Sequence, residues 1–381
     1  MTRRPPSRKT GAPGPREPAA PPLTGFALAP PIEPMLSKLL EELPAGHDWL
    51  YEPKWDGFRA VVFVSRSDVF MQSRDLRPLD RYFPELHEAL LRELPAGCVI
   101  DGEVVIATPD GLDFDALQLR LHPAASRVAL LAQQTPAAFV AFDILALDGR
   151  DVRAEPQRAR RLLLERLLAR ANPPVHLTPL TDERAVASEW LNRFEGAGLD
   201  GVIAKHAVGT YQPGKRTMFK VKHVRTADCV VAGFRWYKGM RDELGSLLLG
   251  LYDDDGLLQH VGVASSFSAA ARKQLLQELA PLRTDALANH PWRDWAAEGE
   301  AARMPGMQSR WSAGKDLAWE PLRIERVCEV KYDHLQGRRF RHATAFLRWR
   351  PDRRPTSCRY DQLAATAPYE LEKVFAAGRP S

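Results

Sequence analysis

The run Glu52-Pro-Lys54-Trp-Asp56-Gly57-Phe-Arg59 places a lysine between two β-rich stretches, with a carboxylate two residues later, then a glycine and an arginine. An amine is a covalent nucleophile only when deprotonated, a state that nearby cations or desolvation favour. Gly57 would let a ligand approach the backbone closely. Taken alone, lysine-x-aspartate-glycine fits an ordinary surface hairpin equally well. The block is not alone, however. Ser73-Arg74, Asp101-Gly102-Glu103, Phe142-Asp143-Ile144-Leu145, Asp200-Gly201-Val-Ile-Ala-Lys205 and Lys220-Val-Lys222-His223 follow it in order.

This ordered set of blocks resembles the covalent nucleotidyltransferases, the superfamily of ATP-dependent DNA ligases, RNA ligases and mRNA capping enzymes. The resemblance covers nearly everything from about residue 34 to 360. Three further blocks look like the small stand-alone bacterial ATP-dependent DNA ligases of the ligase C type, relatives of the ligase module in bacterial end-joining proteins. They are Lys222-His-Val-Arg-Thr-Ala-Asp-Cys229, Arg310-Trp-Ser-Ala-Gly-Lys-Asp316 and Val330-Lys-Tyr-Asp333.

The resemblance implies a role for each block. Lys54 would attack the α-phosphorus of ATP and form a lysyl–AMP phosphoramidate, from which AMP passes to a DNA 5′-phosphate. Glu52 would contact the adenine edge and Phe142 would stack on the base. Arg59 and Arg74 would hold ribose and phosphate oxygens, with the 5′-phosphate of a nick as the alternative for Arg74. Glu103 fits ribose hydroxyl recognition. Asp200 and Glu103 would hold Mg²⁺ or Mn²⁺, hard cations that prefer carboxylate and phosphate oxygens. Lys220 and Lys222 alternate with strand period, so both ammoniums share a face and could neutralise the α-phosphate. Lys205 is a further candidate for the phosphates. Arg350 and Asp352 match the family's last motif, R-x-D-K, which orients pyrophosphate.

Two positions depart from that pattern. Asp200 stands where most members carry Glu, one methylene longer, and Arg353 replaces the final lysine, keeping charge but changing geometry. Residues 338–354 hold seven arginines and one acid, a density that is self-repelling unless an anionic partner arrives. Gly209-Thr-Tyr-Gln-Pro-Gly214-Lys215-Arg216 almost spells a phosphate-binding P-loop. Arg216 stands in place of its Ser or Thr and no helix follows, so the P-loop is rejected.

Positioning these residues requires a mixed scaffold. Leu36, Leu39, Leu40 and Leu43 have helical spacing and predict a short amphipathic helix. Strands are predicted at Phe58–Val64, Val69–Ser73, Cys98–Ala107, Ala138–Leu145, Gly201–His206 and Met218–His223, with helices over Gln157–Arg170 and Asp182–Ala197. Without regular βαβ alternation the fold class is α+β. From Arg225 the pattern changes to strands at Ala227–Arg235, Ser246–Tyr252, Leu257–Val263, Arg326–Lys331 and Thr344–Arg350, interrupted by a helix at Ser268–Leu282. That order predicts an OB-fold barrel. Ten of the 31 prolines fall in the first 34 residues, too poor in aliphatic periodicity to fold. The predicted organisation is a disordered Pro/Arg-rich tail at 1–30, an adenylation domain at 31–224, an OB-fold DNA-binding domain at 225–360 and a C-terminal extension at 361–381.

Composition excludes other classes. The 381 residues are 45% hydrophobic and 27% charged, with no apolar run long enough for a membrane span and no secretory leader. Four widely spaced cysteines without a CxxC pair fit reduced cytoplasmic thiols and argue against zinc or disulfides. The net charge of +5 divides into +4 on residues 1–20, −3 on 21–224 and +4 on 225–381. Basic charge on the C-terminal part is the footprint of a nucleic-acid binder.

The sequence thus predicts a cytoplasmic, monomeric, ATP- and Mg²⁺-dependent DNA ligase that seals nicked duplex DNA, without membrane contact and with DNA-repair or end-joining proteins as partners. An RNA ligase, a GTP-using capping-type nucleotidyltransferase and a non-catalytic DNA-binding relic compete with it. Nucleotide choice and uptake of nucleotide on Lys54 separate them.

Overall fold

The computed structural model describes residues 28–377 apart from 110, 223, 224, 238, 239, 294–317, 334 and 364–368. The predicted disordered tail, except for its last three residues, and the Arg310–Asp316 block lie outside the described residues. The described residues form two compact units, one of those up to Val221 together with those from Tyr369 onward, the other of those from Lys222 to Leu363. Among the described residues no helix is long and apolar enough to cross a membrane.

The first unit is built on two sheets. The smaller runs in the order Leu36–Leu40, Arg216–Val221, Val202–His206, Trp49–Pro53. The larger runs Val175–Leu177, Ala138–Leu147, Val99–Val105, Phe58–Val64, Val69–Ser73. Helix Pro84–Glu93 buries Leu86 and Leu90, and helix Gln157–Leu168 buries Leu164 and Leu168, in one cluster with Val62, Ile100 and Ile144. Helix Arg184–Arg193 buries Ala187 and Trp190 with Val202 and Ala204 of the smaller sheet.

The helix expected over Leu36–Leu43 is a strand. Between Pro34 and Pro44 a helix would be short and would depend on what it packs against. Leu36–Leu40 instead gains a parallel ladder on Arg216–Val221, and Leu39, expected on an apolar face, is 58% exposed.

Register decides which side chains meet. Leu39, Lys220, Ile203 and Glu52 form one row across the smaller sheet. Met218 and Lys205, each two residues from a member of that row, share its face. On the larger sheet Arg59 lies opposite Glu103, Val61 opposite Asp101 and Phe63 opposite Val99. Met218 and Ile203 pack in one cluster with Val61, Phe63, Val99 and Leu145, so these two faces meet. Apolar residues close one end of the seam, and Glu52, Lys205, Arg59 and Glu103 occupy the other. At Gly57 a Cβ would fall 2.2 Å from the Val104 carbonyl oxygen and 2.9 Å from Glu103 Cγ. The close approach anticipated there is thus made by the protein's own backbone.

The second unit is a five-stranded closed barrel. Arg225–Trp236 pairs with Leu244–Tyr252 and with Val327–Tyr332, and the ring continues through Leu258–Ser265 and Thr344–Trp349. Leu258–Ser265 and Thr344–Trp349 run parallel; the other four neighbour pairs are antiparallel. Helix Ala269–Leu279, capped by the Ser268 hydroxyl, lies between the third and fourth strands. This connectivity is that of an OB-fold, and closure removes the exposed strand edges. The predicted 361–381 extension divides: Gln362 bonds the Asp228 backbone in the barrel, whereas helix Leu371–Ala376 belongs to the first unit.

Candidate active site

Lys54 follows the last residue of strand Trp49–Pro53. Its backbone N–H donates to the Gly201 carbonyl at 2.8 Å and its carbonyl accepts from the Asp200 N–H at 2.9 Å. This pairing carries Asp200 alongside it, and Lys54 Nζ donates to Asp200 Oδ2 at 2.6 Å. Both side chains are partly open, at 20% and 15% exposure, so an incoming ligand can reach them.

Two residues back, Glu52 is buried with Lys205, whose Nζ lies 2.8 Å from Glu52 Oε2 and donates to the Phe142 carbonyl at 3.0 Å. Lys205 was expected at the phosphates; here its ammonium is committed to Glu52 and that carbonyl. Glu52 Oε1 is buried and has no hydrogen-bond partner among the described residues. Burial pushes the Glu52 carboxyl above its usual range, with Lys205 and Arg161 opposing. A buried acceptor without a donor is costly unless a ligand completes it. The Phe142 ring lies 4.9 Å from Lys205 Nζ and 5.1 Å from the Arg59 guanidinium.

Arg59 donates to Asp101 through Nε at 2.9 Å and Nη2 at 2.6 Å. Fully buried Asp101 also accepts from the Tyr211 hydroxyl at 2.6 Å, and that hydroxyl accepts from the Met35 N–H. Burial pushes the Glu103 carboxyl up to about 7, with Lys54 and Arg59 opposing and Asp56 and Asp101 reinforcing. The first unit therefore brings together Lys54, Glu52, Arg59, Glu103, Phe142, Asp200 and Lys205, with Lys220 on the same sheet face.

The remaining candidates stand outside that hydrogen-bonded group of the first unit or belong to the second unit. Arg74 is 68% exposed and only 3.8 Å from neighbouring Asp75, outside this hydrogen-bonded group. Lys220 and Lys222 do not share a strand, because the strand ends at Val221 and Lys222 belongs to the second unit. Lys222 Nζ lies 3.7 Å from Asp333. Burial works against ionisation of Asp333, but His342 and Lys222 hold its carboxyl well below the ordinary range. Arg350 donates to Asp228 at 2.9 and 3.0 Å and to Asp352 at 2.8 Å, and Arg353 Nε is 3.1 Å from Asp228. The arginine motif thus converges on an aspartate of the first barrel strand.

Asp101, Tyr211 and Asp228 received no role from the sequence. Asp101 shares strand parity with Glu103, a signal that was present. Tyr211 sits inside the rejected P-loop lookalike, where nothing local points to a partner 110 residues away.

Known proteins resemble this chain over most of its length. Residues 27–222 match the family described as ATP dependent DNA ligase domain, and residues 240–353 match ATP dependent DNA ligase C terminal region. The chain is 58% identical over 338 residues to DNA ligase C2 of Mycolicibacterium smegmatis, covering 88% of this chain and 94% of that one. It is 54% identical over 351 residues to DNA ligase C of Mycobacterium tuberculosis, covering 91% and 97%. A solved structure from a study of Lig E DNA ligases superposes with a TM-score of 0.52 at 17% identity, over 83% of this chain and 98% of that one, a likeness of fold.

Proposed function

We propose a residue-level path for the reaction of this chain, which belongs to the ATP-dependent DNA ligase family. Lys54 Nζ, once deprotonated, attacks the α-phosphorus of ATP; a P–N bond forms, the bond to the leaving pyrophosphate breaks, and AMP is held as a phosphoramidate. Asp200 Oδ2 is the nearest acceptor for the proton that Lys54 must shed. A 5′-phosphate oxygen at a nick then displaces the lysine, and the 3′-hydroxyl attacks the activated 5′-phosphorus, expelling AMP. The observation that carries the reading is the unmatched Glu52 Oε1, buried two residues from Lys54 and linked through Lys205 to Phe142. An acceptor in that position suits the amino group of adenine and disfavours the carbonyl of guanine.

Arg59, locked on Asp101, would present its remaining donors to ribose and phosphate oxygens, and Lys220 would supply positive charge from the same face. Exposed Arg74 suits a nick phosphate. In the second unit Lys222, Arg350, Asp352 and Arg353 would serve the pyrophosphate step. The donor set fits Mg²⁺ or Mn²⁺: Asp200 and Glu103 act on the Lys54 amine, and such an ion commonly takes one or two carboxylates along with the phosphates it accompanies. When bound it would neutralise phosphate charge. We assign the enzyme to the cytoplasm as a monomer acting in DNA repair or end joining; the four free, buried cysteines support a reducing compartment.

Sealing of a labelled nick by pyrophosphate-discharged protein with ATP and not GTP tests the reading; equal use of GTP would overturn it. Glu52→Gln keeps shape but removes a charge-assisted acceptor worth ~1.5–3 kcal/mol, so KM for ATP is expected to rise roughly ten- to a hundredfold. A steady-state titration of ATP checks this.

Glu103 gives a pH dependence. Its raised carboxyl favours the neutral form in the folded protein. That contribution to stability is complete below the usual 4.5 and is lost as pH rises through about 7. Binding a cation requires the carboxylate, which is also the stronger acceptor for a ribose hydroxyl, so AMP uptake is expected to increase through the same window. Glu103→Gln should lower the rate and flatten the profile, measured by single-turnover AMP uptake between about pH 5.5 and 8.5.

A further inference from the structure

We propose that the C-terminal helix Leu371–Ala376 is a positioning element for the nucleophile, acting through Phe375 stacked on Trp55, an inference that rests on Lys54 being the adenylated residue. The chain leaves the first unit after Val221, forms the barrel, and belongs to the first unit again from Tyr369 to Ala377. The matched ligase C-terminal region ends at residue 353, before this return. A six-residue helix has no stability of its own in water, so its order depends on what it docks against.

Its docking surface includes the neighbour of Lys54. Val374 is fully buried and Leu371 nearly so, in the cluster that holds Tyr51, Trp55, Trp190 and Phe194. The Phe375 ring stacks on Trp55 at 5.1 Å and 18°, and on His176 at 4.1 Å and 16°. Trp55 Nε1 donates to Thr178 Oγ1 at 2.8 Å, which fixes the indole from its other end. Tyr369, just before the helix, packs on Phe194 at 5.5 Å and lies 5.1 Å from the Arg193 guanidinium.

The Lys54 backbone is therefore fixed on two sides. Its own N–H and C=O are bonded to the Gly201–Asp200 segment, and the next residue is wedged between Thr178 and Phe375. In-line attack needs the amine within about 3–3.5 Å of phosphorus, and a shift of about 1 Å can cost roughly a hundredfold. Loss of the Phe375 ring frees Trp55 to tilt and widens the range of Lys54 Cα directions. The third chemical step, closure of a nick that already carries AMP, does not use the Lys54 amine as a nucleophile and should not register the change.

The test uses full-length, pyrophosphate-discharged protein with Phe375→Ala, Phe375→Tyr and a chain ending at Thr366. Three quantities are read: the thermal midpoint, the single-turnover rate of AMP uptake at saturating ATP, and sealing of a pre-adenylated nick. For Phe375→Ala, AMP uptake is expected to fall roughly ten- to a hundredfold with KM for ATP little changed and pre-adenylated sealing retained. Phe375→Tyr should restore uptake, and the truncated chain should repeat the alanine defect. Wild-type uptake by Phe375→Ala, or a parallel loss of all three quantities, would overturn the proposal. Failure of the wild-type protein to take up AMP would instead overturn the reading of Lys54 itself.

Discussion

Lys54→Ala is expected to take up no AMP, and its sealing of an ordinary nick with ATP should fall by at least ~10³-fold, as for other enzymes stripped of a covalent nucleophile. Lys54→Arg should behave the same way, because a guanidinium stays protonated and cannot attack. Neither change should unfold the protein. The partner left behind, Asp200, is partly exposed and can be resolvated, so the lost ion pair is worth at most about 1 kcal/mol. Intact-protein mass after incubation with ATP and Mg²⁺ reads the first result, and sealing of a pre-adenylated nick provides the internal control. A mass gain of one AMP on Lys54→Ala would place the covalent step on another side chain.

Asp143→Ala is expected to cost about 3–5 kcal/mol, the largest stability loss among the changes considered. Arg160 donates to Asp143 through Nε at 2.8 Å and Nη2 at 3.1 Å, and neither side chain is more than 1% exposed. Removing the carboxylate strands a guanidinium where water cannot reach it. The Arg160 bonds to the Glu155 and Gly209 carbonyls satisfy N–H groups but supply no counter-charge. Replacing both partners with apolar residues, Asp143→Leu with Arg160→Met, should recover much of the loss, since a buried pair is worth little more than good apolar packing. Thermal unfolding should show a drop of about 10 °C for the single change and a smaller one for the pair. A midpoint within about 2 °C of wild type for Asp143→Ala would mean that Arg160 has a route to solvent.

Asp143 also illustrates the difference between a conspicuous residue and a reacting one. It stands beside Phe142 in one sequence block, yet the two have different surroundings: Phe142 lies against Lys205 and Arg59, while Asp143 anchors the helix that carries Arg160. Period-two alternation separates neighbouring side chains onto opposite faces, though the register shift opposite Asp143 means parity alone could not have assigned them. The helix expected at Leu36–Leu43 failed for a related reason. Leucine spacing was compatible with a helix, but only the presence of the Arg216–Val221 strand, some 180 residues on, decides that a ladder is the better partner.

By itself the sequence determined the elements whose apolar pattern is internal to them. Phe58–Val64 and Val69–Ser73 form at the residues expected, the helix expected from Gln157 starts there, and the strand–helix–strand order of the barrel is the one its turns imply. It also supplied the candidate residue types, because an amine, carboxylates and arginines in a fixed order are local facts of the chain. Only the tertiary structure decided the partners. Lys54 meets Asp200 across 146 positions, Asp101 meets Tyr211 across 110, and Arg350 meets Asp228 across 122. It turned Lys205 toward Glu52, separated Lys220 from Lys222 at the end of a strand, and returned the C-terminal helix to Trp55. Periodicity is written into each segment, whereas register, sheet order and burial emerge when distant segments compete for the same hydrogen bonds and the same apolar face.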